Sequence, residues 1–383
     1  MSVFEIPEKD INCIQYEIVK NDDELKNTCE TIEQYKTYSY YHPICLNLLK
    51  ENNRESYRKI SKEMHDNYIY DKEYCPNKVI TFENALAMRT GIIITENEKY
   101  IHGGCSHSPL NKAFSTLKDA VNYRNKMFEN TMVYPKVISI ASFWAEGGWH
   151  FPMEAMMGLK LIKDYSEAFI HINKKSDLTV NWIKQLGLNI DENRIIDGHI
   201  CAKTLIIPQL GKCGNPYYDQ LIWLRKKIIG NLSIQYHPKA HNPQNLFILI
   251  KRNYRRTVQN YKEMEDICKA YCKKHQLSFW CHDDFMLPSL SQQFNIFNKA
   301  KIVVAPEGAG NVNLIASYPK TILIELSNMK NINTLYHRMV NLLGMHYLTI
   351  PYMPDAKNGL DIQNHFLPVL EKATELMNNE QYM

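Results

Sequence analysis

The stretch KIVVAPEGAGNVNLIASYPKTILIEL, residues 301–326, decides the fold class of this chain. A β-branched apolar run ends at Pro306, as expected of a buried strand. A turn of small residues follows, a helix is predicted to begin near Val312, and TILIEL forms the next buried strand. Because buried strands that alternate with helices are typical of a mostly parallel sheet, the sequence predicts an α/β fold.

The same alternation extends towards the N-terminus and fills two blocks. Further strands are predicted at 137–143, 167–173, 202–209, 245–252 and within 277–285, with helices at 150–165, 178–188, 261–275 and 290–300. A β-hairpin with its turn at 89–91 precedes them. A segment rich in Gly, Pro, Asn and His, 211–245, separates the blocks and places a domain boundary near residue 240.

We therefore predict two doubly wound domains that face a cleft, at 76–240 and 241–352. An N-terminal extension covers 1–75 and includes a surface helix at 47–66. The tail, 353–383, is predicted to form a helix that packs back on the first domain. Ligands of such sheets bind beyond the carboxyl ends of the strands, at the switch point or between domains, so candidate side chains are sought there.

The composition excludes several classes of protein. Of the 383 residues, 45% are hydrophobic and 22% charged, which excludes wholesale disorder. A net charge of +4 is too mild for a dedicated nucleic-acid binder. No run approaches the roughly 20 apolar residues of a membrane span, the N-terminus lacks a signal peptide pattern, and the ten cysteines are scattered. We therefore expect a cytoplasmic protein with reduced thiols and no membrane span.

A candidate phosphate site lies in the quoted stretch, over Glu307, Gly308, Ala309, Gly310 and Asn311. Small residues let the backbone approach a ligand closely, and a helix N-terminus presents unpaired N–H groups to an anion. The alternative is a tight strand-to-helix turn without a ligand. The dinucleotide fingerprint is incomplete, since its third glycine is replaced by Asn313.

Two arginines strengthen the phosphate interpretation. Arg252 closes a predicted strand and Arg256 lies just beyond it, so both are expected at the sheet edge that carries the glycine turn. Guanidinium groups bind phosphate oxygens with two parallel hydrogen bonds. A solvated basic loop is the alternative. Glu325 ends the next predicted strand, where a carboxylate could bind ribose hydroxyls or cap a helix.

In the first domain, His150 and Glu154 follow the strand at 137–143 and lie four residues apart at a predicted helix start. They share a helix face, so either could act as a general base on a hydroxyl group. A helix cap and a solvated carboxylate are the alternatives. The sequence contains no common zinc-binding spacing and no D-x-D triplet. It also lacks a phosphate-binding P-loop and a G-x-S-x-G elbow. We therefore predict no metal and no cofactor.

The ordered set of these segments resembles glycosyltransferase family 61, which includes plant xylosyl- and arabinosyltransferases and animal protein O-GlcNAc-type transferases. The resemblance runs from about residue 80 to residue 352. In the second block it rests on residues spread over four segments: Arg252, Arg256, Asn260, Gln293, Gly308, Ala309, Asn313, Glu325, Tyr336, Gly344 and Tyr347. In the first block, GWHFPMEAMMGL and NWIKQLGL are similar to the family's segments. The chain departs from the family at Glu307, where family members usually carry histidine.

The resemblance implies two Rossmann-like domains in the GT-B arrangement, with the acceptor on the first domain and a nucleotide sugar on the second. It implies an inverting, metal-independent enzyme of glycan biosynthesis. Such an enzyme would move a sugar from a UDP-sugar, of the UDP-GlcNAc or UDP-xylose type, to a hydroxyl of a glycan or glycoprotein. The implied donor-binding residues are Arg252, Arg256, Gln293, Glu307, Gly308, Ala309, Gly310, Asn311, Asn313 and Glu325, and the implied catalytic residues are Glu154 and His150.

Two other functions stay open on the sequence. A carboxylate at position 307 repels a diphosphate unless it is turned away or paired with an arginine, so the chain could be an inactive relative that binds nucleotide sugars or glycans. A nicotinamide oxidoreductase is disfavoured by the missing third glycine. The oligomeric state is open, with a homodimer as one option.

Overall fold

The computed structural model describes residues 14–16, 37–39, 74–103, 113–236, 244–354 and 359–378. The chain divides into two compact units: residues 72–238 form the first unit, and residues 239–383 together with 1–71 form the second unit. Strands β1 (Ile14–Tyr16) and β2 (Thr37–Ser39) pair antiparallel. The helix predicted at 47–66 lies outside the described residues. The predicted cleft between two Rossmann-like domains stays a prediction.

The first unit is built on a seven-stranded mixed sheet. Its strands are β3 (Val79–Ala87), β4 (Ile92–Ile94), β5 (Lys99–Ile101), β6 (Val133–Ser139), β7 (Phe169–His171), β8 (Ile195–Ile196) and β9 (Ile200–Pro208), in the order β5-β4-β3-β9-β6-β7-β8. Strands β9, β6, β7 and β8 run parallel, whereas β3, β4 and β5 are antiparallel to their neighbours. The pairing of β3 with β4 confirms the predicted hairpin, and Gly91 in its turn has a left-handed φ of +87°.

Helices cover this sheet. They are α1 (Leu117–Asn130), α2 (Asp177–Lys184) and α3 (Tyr218–Tyr236), with a 3₁₀ turn at Glu192–Arg194. Ser176 accepts a hydrogen bond from the Thr179 N–H and so caps α2, because the first amides of a helix have no partner within it. Successive residues of β3 point to opposite faces, so Ala85 and Leu86 enter two separate apolar cores.

The segment 150–165 differs from the regular helix that its spacing predicts. It forms a π-helical turn, Phe151–Ala155, followed by a 3₁₀ helix, Met156–Leu161. A side chain on Gly158 would lie 2.6 Å from the Leu210 side chain and 3.0 Å from that of Pro208. The backbone is therefore pressed against the end of β9, and long-range packing overrides the local preference for an α-helix.

The second unit contains a five-stranded, wholly parallel sheet. Its strands are β10 (Leu246–Lys251), β11 (Ser278–Asp283), β12 (Ala300–Pro306), β13 (Ile322–Asn328) and β14 (His346–Tyr352), in the order β11-β10-β12-β13-β14. The connecting helices are α4 (Tyr261–His275), α5 (Leu290–Asn298), a 3₁₀ helix at Ala309–Ala316 and α6 (Leu335–Leu342). In chain order the strands read 2-1-3-4-5, which is one of the common doubly wound orders. The predicted α/β class is confirmed.

The C-terminal helix α7 (Leu367–Asn378) follows a π-helical turn at Ile362–Phe366. Phe366, Val369 and Leu370 are buried in one hydrophobic core with Phe247 of β10 and Leu348 of β14. The structure therefore corrects the prediction that this helix packs on the first domain, since its apolar face is buried in the second unit. Within the described part of the chain, no helix combines the length and apolarity that a membrane crossing requires.

Candidate active site

The switch point of the second sheet lies between β10 and β12, which are neighbours although β11 separates them in sequence. Crossover connections leave such a pair in opposite directions, so a crevice opens beyond the carboxyl ends of the two strands. Arg252 directly follows β10, and Glu307 and Gly308 directly follow β12. The structure thus brings the predicted arginine and the predicted glycine turn to the two sides of one switch point.

Arg252 and Gly308 are in direct contact. A side-chain carbon on Gly308 would overlap the Arg252 Nη1 atom and lie 2.7 Å from Cζ. The φ of Gly308 is 167°, which is extended, so this conformation suits any residue. The guanidinium of Arg252 therefore requires glycine here, and its position over the turn is held by an ion pair of 2.9 Å between Nε and Asp284 Oδ2.

Arg256 contacts the same turn from the loop that follows β10. Its Nη1 donates a hydrogen bond to the Glu307 carbonyl oxygen at 3.1 Å and lies 3.4 Å from Glu307 Oε1. The backbone of Arg256 has a φ of +58°, in the left-handed region that residues other than glycine seldom use. Local strain of this kind persists only where the surrounding structure imposes it, and it is concentrated at functional sites.

Two buried carboxyl groups lie behind the arginines. Burial raises the pKa of Glu307, while the charge of Arg256 lowers it. Glu325 is fully buried, and this burial, together with the nearby Glu307 carboxylate, raises its pKa to about 8. The Tyr347 hydroxyl donates a hydrogen bond of 2.6 Å to Glu325 Oε2. Because Glu325 lies inside β13 rather than at its exposed end, the structure does not support the predicted contact with a ribose.

The remaining predicted donor residues of the second unit make intramolecular contacts. The Asn313 amide donates to Gln293 Oε1 at 3.0 Å, and the Gln293 amide donates to the Pro288 carbonyl at 2.9 Å. The Asn311 amide donates to the Pro306 carbonyl at 3.4 Å. These bonds fix the two ends of the glycine turn. Ala309 and Gly310 form the part of the turn that reaches the surface.

In the first unit, the corresponding switch point lies between β6 and β9. The segment after β6 carries His150 and Glu154, and the segment after β9 carries Gly214. Glu154 Oε1 accepts three hydrogen bonds: from the Gly214 N–H at 2.8 Å, from His150 Nδ1 at 2.9 Å and from Trp149 Nε1 at 3.2 Å. The close fit continues at Gly211, where a side-chain carbon would lie 2.9 Å from the Met153 carbonyl oxygen.

The two members of this pair differ in exposure. The Glu154 side chain is 4% exposed and that of His150 is 29% exposed. A carboxylate oxygen only accepts hydrogen bonds, so Nδ1 of His150 is the donor in this contact. The predicted sharing of a face by His150 and Glu154 is realised as a carboxylate–imidazole pair.

A metal site at this pair is not supported by its chemistry. Sγ of Cys213 lies within 4.8 Å of the ligand atoms of His150 and Glu154. Cys213 is disulfide-bonded, so its sulfur is not a thiolate ligand. The expectation that all cysteines are reduced is therefore wrong for Cys213, whereas Cys75, Cys201, Cys268, Cys272 and Cys281 are free thiols.

Asp284, Trp149 and Gly214 contact the predicted site residues but were not among them. Asp284 had a usable signal, since it directly follows β11, the strand that neighbours β10. Trp149 lies only five residues from Glu154, so it shared the local signal of the His150–Glu154 segment. Gly214 had no signal, because its contact with Glu154 joins two loops 60 residues apart in sequence.

Both polar clusters lie at switch points of α/β sheets, which is where proteins with this kind of sheet bind their ligands. The chain belongs to glycosyltransferase family 61: the family model Glycosyltransferase 61 matches residues 110–324, more than half of the chain. The protein is accordingly a glycosyltransferase. The matched range contains His150, Glu154, Arg252, Arg256 and Gly308. No curated protein sequence gives a significant match.

Proposed function

We propose that this glycosyltransferase is an inverting, metal-independent enzyme that transfers a sugar from a UDP-sugar, of the UDP-GlcNAc or UDP-xylose type, to a hydroxyl of a carbohydrate or protein. The observation that carries the proposal is the contact between the Arg252 guanidinium and Gly308 at the switch point of the parallel sheet. It gives a backbone turn and a fixed positive charge in one place, which is what a diphosphate requires.

The two arginines would stabilise the leaving group. When the bond between the anomeric carbon and the diphosphate breaks, negative charge accumulates on the diphosphate oxygens. Arg252 and Arg256 both contact this turn, so their guanidinium groups would supply the electrostatic stabilisation that a divalent cation provides in other enzymes. Arg252 is held by Asp284 before any ligand binds, so little reorganisation is needed.

His150 would be the general base and Glu154 the residue that orients it. With Nδ1 bonded to Glu154, the lone pair on Nε2 accepts the proton of the acceptor hydroxyl. The acceptor oxygen forms a bond to the anomeric carbon while the bond to the diphosphate breaks and its electron pair leaves with the diphosphate. A single displacement of this kind inverts the anomeric configuration. The buried Glu154 also stabilises the imidazolium ion that forms.

The direct test is a binding and turnover screen of the full chain against UDP-GlcNAc, UDP-xylose and other nucleotide sugars in the presence of EDTA. A donor at 100 times its Kd is expected to stabilise the protein by about 2.7 kcal/mol. The Arg252→Ala variant should lose this stabilisation, whereas Lys262→Ala, which removes an exposed cation from α4, should keep it. Failure of every nucleotide sugar to bind, or binding only with a divalent cation, would contradict the proposal.

A second candidate function is that of an inactive, sugar-nucleotide-binding relative. It is favoured by the Glu307 carboxylate, which forms an ion pair with Arg256 where a donor diphosphate would otherwise bind. Release of UDP in the presence of a panel of glycan and glycoprotein acceptors separates the two candidates. Donor binding without acceptor-dependent release, in wild-type protein and in His150→Ala alike, would favour the inactive relative.

A further inference from the structure

Glu307 forms an ion pair with Arg256, one of the two arginines that the proposed function assigns to the donor diphosphate. Its Oε1 atom lies 3.4 Å from Arg256 Nη1, and the Glu307 carbonyl oxygen accepts a hydrogen bond from the same nitrogen. The Glu307 side chain is 3% exposed. A buried carboxylate is stable only when it is paired, so the ion pair with Arg256 is what keeps Glu307 charged.

A second carboxyl group makes this arrangement sensitive to added negative charge. The Glu307 N–H donates to the Leu326 carbonyl at 3.2 Å, which fixes Glu307 beside β13, the strand that carries Glu325. Glu307 Oε2 and Glu325 Oε1 are buried and make no hydrogen bond within the described residues. The two carboxyl groups repel each other when both are charged, so one of them holds a proton more readily than an isolated carboxyl group would.

Charged and titratable side chains from several elements face the carboxyl groups of Glu307 and Glu325. Arg252 and Arg256 face it from the loop after β10, and Asp284 partly neutralises Arg252. Among the residues that the structure describes, the other facing groups are Tyr336 of α6, Tyr347 of β14 and the amides of Asn328 and Asn333. Arg256 is therefore the principal cation that balances Glu307.

We propose that Glu307 is the resident counter-anion of Arg256, that the diphosphate of a nucleotide sugar replaces it there, and that the Glu307–Glu325 pair takes up one proton from solvent as this happens. The inference rests on the proposed function and adds a regulation of the same site. A bound diphosphate takes over the attraction of Arg256 and adds negative charge nearby. Both changes favour the neutral form of Glu307, which is buried and has little water to stabilise its charge.

Proton uptake has a defined effect on affinity. If one proton is bound with each ligand, Kd rises as pH increases, by up to tenfold per pH unit above the pKa of the carboxyl group in the free protein. A nucleotide sugar is a suitable probe, because each of its phosphates carries one ester bond and one anhydride bond and so does not titrate near neutral pH. UDP itself is unsuitable, since its terminal phosphate has a pKa of about 6.

The experiment is isothermal titration of the full chain with the nucleotide sugar that binds best in the screen, using UDP-GlcNAc and UDP-xylose first. Titrations at one pH in HEPES and in Tris, which differ in ionisation enthalpy, give the number of protons taken up. We expect proton uptake at pH 8 in wild-type protein that approaches one proton as pH is raised further, and close to none in Glu307→Gln, whose Kd should also be lower at pH 8 and nearly independent of pH. Glu371→Gln, an exposed change on α7, should behave as wild type.

The outcomes separate the two proposals. Tight donor binding with no proton uptake in the wild-type protein would overturn the inference and leave the proposed function intact. Absence of binding by any nucleotide sugar would overturn both. The proton count needs no variant, and Glu307→Asp, which keeps a carboxyl group, should retain uptake if Glu307→Gln does not fold. Proton uptake that persists unchanged in a folded Glu307→Gln variant would also overturn the inference.

Discussion

Substitution of Gly308 by alanine should weaken donor binding while leaving the fold intact. The φ of Gly308 is extended, so alanine adopts this backbone conformation without strain. Its methyl group would overlap the Arg252 guanidinium, which is the flexible end of a long side chain and therefore moves away. The variant thus displaces one cation from the glycine turn and breaks the ion pair of that cation with Asp284.

The expected magnitude follows from the two interactions that are lost. A hydrogen bond to a charged group contributes about 1.5–3 kcal/mol, so the Kd for a nucleotide sugar should rise roughly 10- to 150-fold. The ion pair between Arg252 and Asp284 is partly exposed, so its loss should cost no more than about 1 kcal/mol and lower Tm by about 2–4 °C. Isothermal titration measures the first quantity and differential scanning calorimetry the second.

Gly310 offers a matched control in the same turn. A side-chain carbon there would lie 3.4 Å from Ile250 Cδ1, which is ordinary van der Waals contact, so Gly310→Ala should leave the ion pair between Arg252 and Asp284 in place and keep the wild-type Tm. Because Gly308→Ala acts through Arg252, the double variant with Arg252→Ala should bind no more weakly than Arg252→Ala alone. Wild-type affinity in Gly308→Ala, or additive losses in the double variant, would refute the reasoning.

Three further outcomes follow from other contacts. His150→Ala should reduce turnover by roughly 10²–10⁴-fold with donor Kd unchanged, and Glu154→Gln should reduce it less, as measured by UDP release and donor titration. Burial raises the pKa of Glu325 to about 8, so the folded state is stabilised by protonation of this group. The free energy of unfolding should therefore be highest at acidic pH and fall as pH rises towards 8. Glu325→Gln, which keeps an acceptor for the Tyr347 hydroxyl, should make Tm less dependent on pH over this range. Phe366→Ala should destabilise the second unit by roughly 3–5 kcal/mol in chemical denaturation, because its ring is fully buried.

Each of these outcomes has a control. Glu371→Gln changes an exposed charge of α7 and should shift stability by no more than about 0.5 kcal/mol. Loss of donor affinity in His150→Ala would contradict a role confined to the acceptor. A Tm of Glu325→Gln that falls with rising pH as steeply as that of wild type would show that another group dominates the pH dependence.

The predictable part of the site follows from patterns that lie within a short stretch of sequence. The end of a parallel strand and its following turn are both readable from a run such as KIVVAPEGAG, and parallel strands bring all their carboxyl ends to one edge. For that reason Arg252 and Gly308 were correctly expected together although more than fifty residues separate them. The pair His150 and Glu154 was accessible for a similar reason, since a separation of four residues defines a shared face.

The remainder depends on packing that sequence spacing does not encode. Glu325 was expected at an exposed strand end, but β13 continues to Asn328 and Tyr347 of β14 covers the carboxyl group. The helix that was predicted to begin near Val312 is a 3₁₀ helix, Ala309–Ala316, and begins three residues earlier. The C-terminal helix was expected on the first domain but is buried in the second unit. Its amphipathic pattern shows that it must bury one face, but the pattern does not show which sheet receives that face.

The continuity of the first unit bears on how the protein is made. Residues 72–238 form a single uninterrupted stretch, and every strand of the five-stranded sheet comes after it. At about 5–20 residues per second, a ribosome needs roughly 6–23 s to pass from residue 238 to the end of β14 at Tyr352. The unit that carries His150 and Glu154 is therefore fully synthesised, and free to fold once it has left the exit tunnel, before Arg252 and Gly308 have a sheet to hold them. The order of synthesis thus allows the first unit to fold before the strands of the second unit exist.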